Sequence, residues 1–122
     1  MVDTRAFKLE QHPGTVPACS VIAVAGPMVI EHLFKFQEAW RSDSSNILIF
    51  DLGGVIYIDS SLIGSLVMAH VHLSNAGRKM VLAGVPDRVR QMLAVTKVDI
   101  LFTFFTNVAE AEAALTAARA SA

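Results

Sequence analysis

Residues Ile47-Leu-Ile-Phe-Asp-Leu52 are apolar at five of six positions. A strand with one wet face alternates apolar and polar residues. A strand apolar on nearly every residue needs cover on both faces. This run therefore predicts a central strand between two helical layers. The rest of the 122-residue chain follows from asking what supplies them.

Before the run, residues 4–11 alternate weakly, with Phe7 and Leu9 on one side and Lys8 and Glu10 on the other, which predicts an edge strand. His12-Pro13-Gly14 is a turn signal, and Ala18 to Ala25 is a second strand ended by Gly26-Pro27, hairpin-paired with the first. Ile30 to Arg41 has helical period. Ile30, Leu33, Phe34, Gln37 and Trp40 fall on one face, with Phe36 at its rim. After the run, Gly53-Gly54 reads as a turn, Val55 to Ile58 as a short extended piece, and Leu62 to Asn75 as a helix. That helix carries a broad stripe of Leu62, Ile63, Leu66, Val67, Ala69, His70 and Leu73, and Gly77 is placed for a left-handed cap. Met80 to Ala83 is a short strand. A helix starting near Pro86 buries Val89, Met92 and Leu93. Ile100 to Phe105 is a last strand, and a helix from Val108 to about Arg119 is capped by Asn107 with Glu110 three residues on. The order β-β-α-β-α-β-α-β-α predicts an α/β fold with a mixed, mostly parallel sheet flanked by helices.

Length suits one domain over residues 1–122, with its core at about 4–118. The net charge of -1 gives no electrostatic case for nucleic acid. With Cys19 the only cysteine, an internal disulfide and a thiolate zinc cluster are both ruled out. The N-terminal residues lack the apolar core of a signal peptide, and no apolar run approaches the ~20 residues of a membrane span, so no membrane insertion and a cytoplasmic location are expected. The apolar content, 53%, leaves room for a hydrophobic patch that meets a partner.

Polar side chains converge at one place between apolar elements, Asp59-Ser60-Ser61. A serine hydrolase site fails on spacing. His70 is ten residues beyond Ser60, roughly 15 Å at the helical rise, Asp59 adjoins the serine it would have to serve through a histidine, and no Gly-x-Ser-x-Gly elbow exists. His70 and His72, two apart on a helix, point to different faces and do not pair on a metal; His72 and His32 are expected to face solvent and His70 to be half-buried. Gly53-Gly54 belongs to no phosphate-loop pattern. The chain is therefore read as a non-enzyme without cofactor or metal. Two readings of Asp59-Ser60-Ser61 remain. One is ordinary helix capping. The other is a phosphorylation site, where a phosphate on Ser60 would sit at a helix N-terminus, which favours anions, and would mask an interface by adding about -1.5 to -2 of charge.

The chain resembles the STAS-domain family, in particular the bacterial anti-sigma factor antagonists. The resemblance rests on Val21 to Gly26, Ile47 to Leu52, Ile58-Asp59-Ser60-Ser61 with Gly64, Ala76-Gly77-Arg78 leading into Met80 to Val85, and Val89 to Leu93 followed by Val98 to Phe102. It implies an antagonist that binds an anti-sigma factor with serine kinase activity. Phosphorylation of Ser60 would switch it off, a serine phosphatase would reset it, and transcription would be regulated by partner switching. Asp59 matches the motif aspartate, and Asp51 an acidic strand end near the same surface; Ser61, Leu62 and Gly64 complete the neighbourhood. The sequence departs from the family at Leu62, where the motif Asp-Ser-Ser-Gly has glycine. An exposed Leu62 would act as an apolar anchor for a partner. The alternative is a constitutive STAS interaction module of a transport or sensory complex, not phosphorylated. A homodimer is compatible with either.

Overall fold

The computed structural model describes residues 6–120, with side chains to residue 115. Five strands form one mixed sheet in the order β1-β2-β3-β4-β5. They are β1 (Lys8–Pro13), β2 (Cys19–Met28), β3 (Ile47–Ile58), β4 (Lys79–Ala83) and β5 (Phe104–Phe105). The helices are α1 (Leu33–Ser42), α2 (Ser60–Asn75), α3 (Asp87–Val95) and α4 (Val108–Ala120), with 3-10 turns at Ile30–His32 and Asp99–Leu101. β1 and β2 pair antiparallel; β2, β3, β4 and β5 are mutually parallel. The α/β class, the hairpin and the mixed sheet are as the sequence predicts.

The two-sided burial of β3 follows from the pleat. Leu48, Phe50 and Leu52 point to one face with Ile22, Val24 and Leu82, where buried residues of α1, α2 and α3 meet them. Ile47 and Ile49 point to the other face with Val21, Val81 and Ala83, under Ala111 and Leu115 of α4. Glu112 of α4 is buried too. Its carboxylate accepts from the N–H groups of Thr15 (3.0 Å) and Val16 (3.2 Å) and from the Thr15 hydroxyl, so the β1–β2 loop is tied to α4.

Several expectations are corrected. First, Gly53-Gly54 is no turn, and β3 runs unbroken to Ile58. Glycine there serves a close approach: a Cβ on Gly54 would lie 2.7 Å from the Ala25 Cβ, at a register shift between β2 and β3. Second, Gly26-Pro27 does not end β2, which continues to Met28. Third, the last strand is only Phe104–Phe105, because Asp99–Leu101 forms a 3-10 turn with Ile100 exposed.

The fourth correction concerns α1. Its buried residues are Phe36, Ala39 and Trp40, whereas Ile30 and Phe34 are 62% and 80% exposed. The sequence allows two phases that share Leu33 and Trp40, and packing chooses between them. Phe36 meets the Phe50 ring at 5.5 Å between centroids, and the Trp40 Nε1–H donates to the buried Ser65 Oγ of α2 at 3.2 Å. His12 and Pro13, read as part of a turn, belong to β1, while two helix ends follow their signals. Gly77, at φ 71°, closes α2 with Arg78 N–H bonding Leu73 O and Gly77 N–H bonding Ser74 O. Asn107 accepts from the Glu110 N–H at 2.8 Å.

Candidate functional site

β3 delivers Asp59 to the start of α2. Asp59 has extended backbone (φ -98°, ψ 175°) and caps the helix, its Oδ1 accepting from the Leu62 N–H at 3.0 Å. The same carboxylate reaches across the sheet end. Oδ2 accepts from the Ile30 N–H at 2.9 Å, while the Asp59 N–H donates to Met28 O at 3.0 Å. One aspartate thus fixes both the entry into α2 and the path from β2 to α1. The capping reading of the segment is therefore satisfied, and it leaves the serine hydroxyls out of the work. Ser60 is exposed and Ser61 half-exposed.

Leu62 is fully buried, at 0% exposure, within the core beneath α1 and α2. The expectation that it stands out as an anchor is withdrawn. The third helical position turns inward because the stripe Leu62, Ile63, Leu66, Ala69 and Leu73 demands it. Gly64 faces solvent, with nothing within 4 Å of a Cβ built on it. Asp51 is drawn elsewhere. It lies eight residues back along β3, paired in register with Ala23 and Ala83, and its Oδ1 accepts from the Gly53 N–H at 3.1 Å near Gly84. The structure thus gathers Asp59, Ser60, Ser61 and Gly64 at one helix end, turns Leu62 beneath it, and gives Asp51 a different neighbourhood.

The residues that make up the outward face of α2 were not picked out from the sequence. Ser60, Gly64, Met68 and Val71 follow one another along it at helical spacing, with Met68 52% and Val71 44% exposed. From Ser60 to Asn75 the helix contains no Asp, Glu, Lys or Arg. That absence was the available signal: a surface helix normally carries charge on its wet face. α1, which packs against α2, exposes Phe34, and the 3-10 turn before it exposes Ile30.

His70, His72 and His32 pack against aromatic rings. His70 is half-buried, as expected, edge-on to Phe102 at 5.9 Å between centroids. His72 is exposed, as expected, with its ring 5.4 Å from that of Trp40, whereas His32 is half-buried and stacks on Phe7 at 4.1 Å. No group of three or more His, Cys, Asp or Glu suited to a metal ion exists among the described residues. No described helix is long and apolar enough to cross a membrane.

A second polar cluster ties the molecule at the far end of α1. Asp43 is buried, and Arg78 donates from its Nη2 to Asp43 Oδ1 at 3.1 Å and to Asp43 O at 2.9 Å, and from its Nε to Ser45 O at 2.7 Å. Burial pushes the Asp43 carboxyl up, but hydrogen bonds from the Ser45 hydroxyl and N–H, Ser20 and Gln11 outweigh it and hold the group below its ordinary value.

The sequence profile of the STAS domain matches residues 6–111. The chain belongs to the STAS-domain family. Sequence comparison with curated proteins gives no match. Among solved structures, an anti-sigma factor antagonist from Mycobacterium paratuberculosis superposes with a TM-score of 0.78 at 19% identity, covering 98% of this chain and 99% of that one. The unphosphorylated anti-sigma factor antagonist SpoIIAA gives 0.67 at 18% identity, covering 94% and 97%. The STAS domain of a SulP transporter from Vibrio cholerae gives 0.69 at 24% identity, with 88% of each chain covered. At these identities the likeness is one of fold, and it spans both antagonists and transporter domains.

Proposed function

We propose that this STAS domain is a cytoplasmic, non-catalytic anti-sigma factor antagonist, which docks an anti-sigma factor kinase and is released when Ser60 is phosphorylated. The observation that carries the reading is the exposed Ser60 at the head of an uncharged, partly apolar helix face. A phosphate there would be the first full charge on α2 itself, and it would meet the positive end of the helix, so the fold could hold it without rearranging. Its effect would fall on whatever covers Gly64, Met68 and Val71. The motif leucine does not argue against docking, because Leu62 is turned into the core and leaves the outer face unchanged. Asp59 would act as the positioning residue that presents Ser60, and a serine phosphatase would restore the binding form.

The test is incubation with an ATP-using anti-sigma factor kinase, read by intact mass. The expected product carries one phosphate, and Ser60→Ala carries none. A phosphate that persists in Ser60→Ala would remove the assignment. The transporter-domain neighbour supports a second reading, a constitutive module that uses the same face. Partner binding insensitive to kinase, ATP and Ser60→Asp would favour it.

A further inference from the structure

The two edges of the sheet differ. β5 is two residues long, and the Arg90 guanidinium lies over its Phe104 ring at 4.0 Å; a short, covered edge offers little to pair with. β1 is six residues long and borders no further strand among the described residues. In an antiparallel ladder, residues bonded to the neighbouring strand alternate with residues whose N–H and C=O point away. The Gly14 N–H donates to Cys19 O at 2.9 Å, and these two residues stand opposite each other in the same register that pairs Lys8 with Ala25, Glu10 with Ala23 and His12 with Val21. The even-numbered residues of β1 therefore bond to β2. Leu9 and Gln11, with Phe7 just before the strand, present N–H and C=O to the open edge, while Pro13 presents only a carbonyl.

We propose that β1 pairs with β1 of a second copy of this chain, antiparallel about a two-fold axis at Leu9, joining two five-stranded sheets into one of ten strands. Three arguments select that register. An axis at Leu9 sets Leu9 opposite Leu9 and Phe7 opposite Gln11, all of them residues with outward donors and acceptors. It also sets Lys8 opposite Glu10 twice, as exposed side chains on one face, giving two cross-strand ion pairs. Pro13 falls outside the pairing. An axis at Glu10 would instead oppose two glutamates and bring Pro13 against Phe7. An axis at Gln11 would set Leu9 against Pro13, which has no N–H to give. Lysine and proline usually guard an edge; here the lysine is matched and the proline lies beyond the contact. The surface is small, so association is weak and concentration-dependent. The pairing rests on β1 alone and is independent of any role for Ser60.

Sedimentation velocity from micromolar to millimolar concentration tests the proposal. Wild type is expected to shift from monomer to dimer. Lys8→Glu and Glu10→Lys should each weaken the dimer about tenfold or more, because each sets like charges opposite at two places. The double variant Lys8→Glu/Glu10→Lys should dimerise as wild type does, which also shows that both positions tolerate exchange. A monomer throughout, dimerisation of both single variants at wild-type strength, or no recovery in the double variant would overturn it.

Discussion

Asp43 follows α1 and Asp59 precedes α2, and each carboxylate holds separate stretches of chain together. Asp43 is saturated. Gln11, Ser20, Ser45 and Arg78 all turn toward it, so four parts of the chain meet at one buried charge. Asp59 takes two backbone N–H groups, from Ile30 and Leu62, with no cation beside it in the described contacts. The first arrangement leaves nothing over for a partner. The second fixes the backbone and frees the side chain next to it, Ser60. Within one small sheet, then, the same residue type serves as a lock at one end and as a mount at the other.

Substitution can break this contrast. Asp43→Ala should cost the most, about 3 kcal/mol, because it strands the Arg78 guanidinium in a largely buried site and removes several charge-assisted hydrogen bonds; thermal unfolding with denaturant cross-checks measures it. A loss no greater than that of Asp59→Ala would erase the distinction.

Acid unfolding sharpens it. The Asp43 carboxyl is held below its ordinary value of 3.8. Between the two values the unfolded chain therefore binds more protons, so this group's stabilisation is fully present above about pH 4 and is lost as pH falls through the lower folded value. Asp43→Asn should flatten that acid limb, and an unchanged limb in that variant would remove Asp43 as its source. Asp59→Ala removes a cap and should lower stability by about 1 kcal/mol, with Asp59→Asn close to wild type since asparagine caps as well. The smallest effect belongs to Ser60. Ser60→Ala and Ser60→Asp should each shift stability by less than about 0.5 kcal/mol, while Ser60→Asp weakens binding to the kinase partner. A destabilisation comparable to that of Asp59→Ala would mean that the hydroxyl is part of the mount.

The element order was legible because strand and helix periods differ and because Gly77 and Asn107 mark their helix ends. Asp59 was legible as a cap for the same reason. Its second bond, to Ile30, was not, since nothing local tells a carboxylate which distant N–H it will meet. Gly53-Gly54 carries a turn signature, yet Gly54 is demanded by Ala25 on the adjacent strand, a neighbour the sequence places 29 residues away. The phase of α1 was ambiguous because Phe34 and Phe36 are both phenylalanine, and it is the packing of Phe36 on Phe50 of β3 that decides between them. Leu62 was legible as part of the apolar stripe, and its reading as an anchor, which required exposure, fails for a different reason. A motif comparison aligns positions without saying which way they face, and a leucine in a first turn goes where the core has room.

β3 outreaches its neighbour. β4 accompanies it only from Ile47 to Asp51, and beyond that β2 alone runs beside it to Ile58. The segment that carries Asp59 is therefore a cantilever, anchored at its root by strands on both sides and at its tip by a single rail. A load applied to the head of α2 is borne by the contacts with Met28 and Ile30, which makes the β2–α1 corner the bearing on which any motion of that helix end must turn.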